Sequence, residues 1–353
     1  MAIIIRDAEV RRDRKRLMDC LLRNRSRYQD DAKLQRRFEW AYDDNPHGEG
    51  RAWLAIDQAS DKVVGYTSAY PRHVTVNGDT VIGWNCSDFS IDQKYRTLGV
   101  AIKLRRAAKE CVDRGEFPFI FAHPNDRMRV VHDKVGHHDI GSMVRYALLL
   151  RLDKMLAAVA GDNLLSRGLA TLANPVVKFV HLSKNGKKTR YKFRAPVENC
   201  FGEEYDKLFA RVKNRYPVIG NRDAAYLTWR FLRNPLYTAR SFRMEDGPDL
   251  KGFILFTVEK NVAHVCDLLV EGGSEEMRLL TGAFIHYLHE SGFCTISLRL
   301  HDHNPFLFCA QSLGFHYRDD ATSAAIAYCS PGSMNASVLD GRNWFMTVGD
   351  RDI

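Results

Sequence analysis

Residues 88–112 read Asp88-Phe-Ser-Ile-Asp-Gln-Lys-Tyr-Arg96-Thr-Leu-Gly99-Val-Ala101-Ile-Lys-Leu-Arg-Arg-Ala-Ala-Lys-Glu-Cys-Val112, and this stretch decides the fold. It predicts a strand, then a tight basic turn containing a glycine, then a helix. From Val100 the apolar residues recur at 104, 107, 108 and 111, which is one helical face. Lys103, Arg105, Arg106 and Lys109 take much of the remainder, and Gly115 is a natural stop. A turn that opens a helix leaves several N–H groups without an intrahelical partner. With the positive end of the helix dipole they make a site for phosphate. Gly99 and Ala101 lack bulk, so a pyrophosphate has room to approach the backbone, and Arg96 adds a full charge.

The chain before this turn predicts a short strand at 2–5, a basic helix over 10–25 and a second helix over 32–42. Strands follow near 52–56, 62–70 and 81–91, with Asn77-Gly78 suiting a type I′ hairpin turn. After Gly115 come a buried strand at 117–123, Asn125 and a short helix over 126–135 that ends at Gly136. The order β-α-α-β-β-β-α-β-α-β therefore runs through about residue 152.

In this setting Arg96-x-x-Gly99-x-Ala101 resembles the pyrophosphate signature of the GNAT acyltransferases, Arg/Gln-x-x-Gly-x-Gly/Ala. The resemblance implies acetyl-CoA or another acyl-CoA as co-substrate, bound through Ser90, Ile91, Arg96, Thr97, Leu98, Gly99, Val100, Ala101 and Asn125. It implies direct attack of an amine on the thioester, with Asp88 as base or ammonium anchor and His132 as the acid for the departing thiolate. A structural carboxylate pairing Arg96 or Lys94, and an ordinary helix histidine, are the alternative roles for these two residues. The family's tyrosine and Gly-Phe are replaced here by His132 near the expected place and by Gly136-His137.

Beyond residue 198 the pattern recurs. Gly115, Asn125, Gly136 and Cys86 find counterparts at Gly292, Asn304, Gly314 and Cys266, a near-constant offset of about 180 residues. At that offset Arg96 becomes Glu275 and Gly99 becomes Arg278, and the acidic turn around them repels a diphosphate. The fold expected is mixed α/β: two tandem GNAT domains, each a twisted mixed sheet flanked by helices. Their bounds are 1–152 for the acyl-CoA domain, 153–197 for a helical and basic connector, and 198–353 for a degenerate second copy. The segment from Arg222 to Pro235, and Trp344-Phe-Met-Thr-Val-Gly-Asp350, resemble tandem GNAT proteins associated with bacterial polysaccharide synthesis. That points to an amino sugar as acceptor, met at the domain junction by Trp40, Tyr42 and Asp44 from one side and Tyr226, Trp229 and Arg230 from the other. A Fem-like aminoacyl transferase and a non-catalytic polysaccharide-binding scaffold are the rival readings.

Composition bounds the partners. The chain has 353 residues, 45% of them hydrophobic, and a net charge of +9. That size accommodates about two domains. The charge favours an anionic ligand or surface, yet no nucleic-acid motif is present and no nucleic-acid partner is expected. Eight cysteines show no C-x-x-C and no metal-ligand spacing, so no metal is expected and reduced thiols in a cytoplasmic protein are. No Gly-x-Ser-x-Gly elbow supports a serine hydrolase. The apolar and basic segment 155–190 is the candidate for peripheral contact with an acidic membrane face.

Overall fold

The computed structural model describes residues 2–24, 31–153, 171–175, 178, 189–196 and 200–352. Most of the expected connector, and with it the expected membrane-contact segment, lies outside the described residues. The first half holds β1 (Ile3–Asp7), α1 (Val10–Asn24), α2 (Asp31–Phe38), β2 (Arg51–Asp57), β3 (Lys62–Val76) and β4 (Asp79–Ile91). Then come α3 (Leu98–Asp113), β5 (Phe119–Ala122), α4 (Asp126–Lys134) and β6 (His138–Leu149). The second half holds β7 (Lys192–Arg194), α5 (Glu203–Val212), β8 (Val218–Gly220), α6 (Ala224–Leu227), β9 (Arg240–Asp246), β10 (Asp249–Glu259) and β11 (Val262–Val270). It continues with α7 (Ser274–Glu290), β12 (Thr295–His301), α8 (Phe306–Ser312), β13 (His316–Tyr328) and β14 (Trp344–Phe345). Among the described residues no helix is long and apolar enough to cross a membrane.

The hairpin between β3 and β4 turns on Asn77 (φ 51°) and Gly78 (φ 97°), both left-handed as a type I′ turn demands. The internal repeat is visible in the backbone. Gly115 (φ 77°) and Gly292 (φ 76°) close the long helices α3 and α7, and Gly136 (φ 85°) and Gly314 (φ 96°) close α4 and α8. A glycine takes the left-handed conformation without the clash that a Cβ brings, which is why it recurs at helix ends.

Sequence order did not foretell how the halves join. All the strands among the described residues lie in one sheet, with a main path β1-β2-β3-β4-β5-β13-β6-β12-β11-β10-β9-β7. The halves exchange their last long strands. β13 pairs β5 through Ile326↔Ala122, Ala327↔Phe121 and Tyr328↔Ile120, while β6 pairs β12 from Leu149↔Thr295 to Met143↔His301. β6 and β13 then pair with each other. A continuous apolar cluster runs from Leu17, Leu34 and Trp40 to Phe253, Phe284 and Leu300, so one core serves both halves on that face.

A second joint lies at two matching helix ends. Each of α2 and α6 continues into a wider turn, with Asp44 N–H reaching Glu39 O and Arg233 N–H reaching Thr228 O, both at 3.0 Å. Trp40 and Trp229 sit in these turns and stack on one another, centroids 4.6 Å apart and planes 13° apart. Each indole N–H donates to the other tryptophan's carbonyl at 2.7 Å. The faces expected to receive a sugar are therefore occupied by each other, and Tyr42 is likewise buried, stacked on Phe38. This corrects the acceptor platform read from the sequence. Asp44, at the end of its turn, is exposed. Trp229→Ala should lower the urea unfolding free energy by about 3–5 kcal/mol, the scale of an emptied aromatic site. A change in substrate KM with unchanged stability would restore the platform.

Candidate functional site

The Arg96 turn is built as an anion cradle. Thr97 caps α3, its hydroxyl accepting the Val100 N–H at 3.4 Å, which leaves the Leu98 and Gly99 N–H groups at the helix mouth. A Cβ placed on Gly99 would meet nothing within 4 Å, so the space in front of it is open. Arg96 Nε donates to Ile91 O at 2.9 Å and its Nη2 to Asn24 Oδ1 at 3.1 Å, which fixes the guanidinium beside the cradle. A cavity of about 370 Å³ runs past Ser90, Ile91, Arg96, Thr97, Ala101 and Asn125. Val100 is buried behind it. Six of the nine positions expected to bind the coenzyme thus line one cavity, while Gly99 is absent from its wall, Val100 is buried and the Leu98 side chain is not described. Asn125 caps α4 by accepting the Met128 N–H at 3.0 Å, and so has a structural duty as well as a place in the cavity wall.

A larger cavity, about 580 Å³, opens from the first and shares Phe89, Asn125 and Met128 with it. Its cause is a splay in the sheet. β4 and β5 pair in parallel only at Gly83↔Phe119, Trp84↔Ile120 and Asn85↔Phe121, and β5 stops at Ala122 while β4 continues to Ile91. The β3–β4 register also slips between Thr67↔Phe89 and Ser68↔Ser87, which bulges Asp88 out of the ladder with φ at 23°. A non-glycine residue held there is strained backbone, and such strain collects at functional sites.

Asp88 lines the large cavity, but its oxygens are engaged. Arg37 grips it in two bonds, Nη1 to Oδ2 at 3.0 Å and Nη2 to Oδ1 at 2.9 Å. The hydroxyls of Tyr70 and Tyr42 donate to Oδ2 at 2.7 and 3.2 Å. The carboxylate pairs Arg37, not Arg96 or Lys94, and a carboxylate holding four donors is a poor proton acceptor. It is better described as the post that fixes the bulge.

His132 faces the same cavity, and its Nδ1 lies 2.6 Å from Nδ1 of His137, so one ring donates and the other accepts. Burial, the charge of Arg105 and the neighbouring His137 hold His132 well below the usual imidazole range. Burial, then Arg105 and Lys109, bring His137 down to about 3. Both rings are neutral at pH 7, which removes the imidazolium needed for the acid role expected of His132.

Several cavity residues escaped sequence reading, Arg105, Arg351 and Asp352 among them. Arg351 and Asp352 come from the far end of the chain, carried across the sheet by β14 pairing β8 and β8 pairing β3. Nothing local marks them. Arg105 left a signal that was passed over: residues 101, 104, 105, 108, 111 and 112 of α3 are all buried, so it occupies a core position of the helical wheel. Among the described residues no group of histidine, cysteine and carboxylate is placed to hold a metal ion.

No family model and no curated protein matches the chain by sequence. Solved structures do match. A GCN5-related N-acetyltransferase from Anabaena variabilis superposes with TM-score 0.65 at 12% identity, over 92% of this chain and 72% of that one. The fold is that of the GNAT acyltransferases. A GCN5-related N-acetyltransferase from Kribbella flavida gives TM-score 0.61 at 11% identity, over 92% and 72% of the two chains. Saccharomyces cerevisiae N-myristoyltransferase with bound myristoyl-CoA gives 0.54 at 12% identity, over 99% of this chain and 85% of that one. The near-complete coverage agrees with a GNAT unit in each half.

The neutral histidine pair has a consequence for stability. Its folded pKa values lie below the 6.5 of a free histidine, so below pH 6.5 the unfolded chain binds more protons. Stability is full above that value and falls as the pH is lowered toward about 3. Urea unfolding at pH 5.0 against pH 7.5 should show a loss of about 2 kcal/mol for each of the two. A flat profile across that window would mean that they are charged in the fold.

Proposed function

We propose that this chain transfers a short acyl group from coenzyme A to the amine of a small polar acceptor. The observation that supports the reading is continuity: the open helix mouth at Gly99 leads through Phe89, Asn125 and Met128 into the cavity between β4 and β5. The residues present fit the coenzyme. The Leu98 and Gly99 N–H groups and Arg96 suit its pyrophosphate, and β4 beyond its last pairing with β5, including Ser90 and Ile91, suits the pantetheine arm and the thioester oxygen.

The acyl length follows from the wall of the large cavity. Ser87 Oγ, His123 Nδ1 and Ser323 Oγ are buried there without a hydrogen-bond partner. An alkyl tail would leave each of them dry at about 1–3 kcal/mol apiece, against about 0.8 kcal/mol gained per buried methylene. A polar acceptor beside a two- to four-carbon acyl group satisfies them instead. The amino sugar inferred from the sequence resemblance belongs to that acceptor class, and it is our reading of the acceptor. One coenzyme per chain is the stoichiometry of this reading, because Glu275 and Arg278 stand where the second half would need Arg96 and Gly99.

Calorimetry with acetyl-CoA tests the coenzyme site. Gly99→Glu puts a carboxylate into the open space and should weaken binding by about 2 kcal/mol or more, roughly 30-fold. Myristoyl-CoA should bind no more tightly than acetyl-CoA. Two sites per chain, or indifference to the substitution, would sink the reading.

Proton removal from the attacking amine needs a positioned acceptor. We assign the base to Asp352 on its position, since it lines both this cavity and a small one beside Trp229. Asp352→Asn should lower kcat by about 10²-fold with acetyl-CoA affinity unchanged. Asp88→Asn should instead destabilise the fold by about 3–5 kcal/mol, because it removes the charged member of a buried, doubly bonded pair with Arg37. If the two variants exchange these phenotypes, the assignments exchange with them.

A further inference from the structure

Arg105 presents a buried cation that forms no ion pair among the described residues, although the carboxylate of Asp352 lies on the same cavity wall. Its side chain is 2% exposed and lines the large cavity. Nε and Nη1 have no hydrogen-bond partner, and no carboxylate among the described residues forms an ion pair with it. Its surroundings offer little to a guanidinium. The Phe89 ring lies 5.6 Å from its central carbon, the Cys86 thiol is a weak acceptor, and the nearby imidazoles of His132 and His137 are neutral. Asp113, two turns on, is committed to Lys109 at 2.7 Å and forms no ion pair with Arg105. Buried charges are ordinarily paired or coordinated, because desolvation without a partner is costly. Two other buried arginines obey that rule, Arg37 with Asp88 and Arg222 with Asp267 and Asp350, whereas Arg230, also buried without an ion pair, donates to the carbonyls of Val348 and Arg351.

The coenzyme's own phosphates do not supply the anion. They belong at the mouth of α3, and Arg105 lies six residues along the helix from Gly99, roughly 9 Å by the helical rise. The pantetheine arm and an acetyl thioester carry no charge. We therefore propose that the reacting pair in the large cavity includes a carboxylate, and that Arg105 receives it. Two parallel N–H···O bonds from a guanidinium fork match a carboxylate in charge and in shape. The carboxylate has two possible carriers: the distal end of a dicarboxylic acyl group, or the acceptor, as in an amino acid or an amino sugar acid. The inference rests on the acyl-transfer reading only for the identity of the carrier, since the unpaired cation is a property of the cavity itself.

The test uses the full chain, the variants Arg105→Met and Arg105→Lys, and two probes, succinate and succinyl-CoA. Without ligand, Arg105→Met should melt at the same temperature as the parent or higher, because removing an unpaired buried charge relieves the fold. Succinate should raise the melting temperature of the parent, with or without coenzyme, and leave Arg105→Met unmoved. Arg105→Lys, which keeps the charge but loses the fork, should respond weakly. Succinyl-CoA binding about tenfold or more tighter than acetyl-CoA, with the difference lost in Arg105→Met, places the carboxylate on the acyl group. Equal affinity for the two thioesters, together with Arg105-dependent protection by succinate in the coenzyme complex, places it on the acceptor. Succinate that protects parent and variant alike, or neither, overturns the proposal, as does a lowered melting point in Arg105→Met without any loss of ligand response. If acetyl-CoA fails to bind while succinate still protects through Arg105, the acyl-transfer reading falls and the carboxylate site stands.

Discussion

The exchange of β6 and β13 is the constraint on which the rest of this structure depends. A β-strand pairs with whichever partner completes its ladder, and here each half's last long strand completes the other's. β5 is short, and where β4 runs on beyond it, paired only with β3, the large cavity opens. The exchange also brings the chain back across the first half after β13, so that the final described residues reach the cavity wall. The large cavity thus draws on both copies of the duplicated sequence, with Ser323, Arg351 and Asp352 from the second half in its wall.

A buried charge network holds that returning segment in place. Arg222 donates to Asp267 at 2.9 Å and to Asp350 at 2.5 Å, and Arg72 donates to Asp350 at 2.9 Å from the opposite half. Thr347 joins the two acids, its hydroxyl 2.8 Å from Asp267. Burial lowers the Arg72 pKa to about 10, while Asp350 pushes the other way and keeps the guanidinium charged at neutral pH. Such networks contribute modestly to net stability, because desolvation offsets much of the attraction, but removing one member strands the others. Their value here is positional. Asn85 on β4 donates to Asp350 O at 3.1 Å, so the segment is fixed against the strand that walls the cavity.

Much of this was legible in sequence and some was not, for physical reasons. The turn at Arg96 was readable as a turn into a helix because it is local: a glycine, a capping threonine and a helix mouth sit within a few residues. The duplication was readable because glycines at helix ends keep their spacing, as Gly115 and Gly292 do. The Asn77-Gly78 hairpin was readable from the two residues that tolerate a left-handed backbone. Strand exchange was not, since period-2 patterning says which face of a strand is buried and nothing about which neighbour it takes. Trp40 and Trp229 were correctly placed at one junction but misread in role, because a sequence does not distinguish an aromatic that faces a ligand from one that faces another aromatic. Asp88 was correctly drawn to the cavity, and its saturation by Arg37, Tyr42 and Tyr70 depends on residues distant in sequence.

The exchanged strands also shape how the chain must reach its fold. β5 emerges about 200 residues before the β13 segment that covers its edge, so on a growing chain that edge waits unpaired. Its residues Phe119, Ile120, Phe121 and Ala122 are all apolar and buried in the finished sheet, which makes the waiting edge adhesive. A second copy of the chain offers the same β13 sequence as the first. At high concentration of nascent or refolding chains, reciprocal swapping of the C-terminal strand is therefore the misassembly that this topology favours, and dilution is the condition that favours the monomeric sheet.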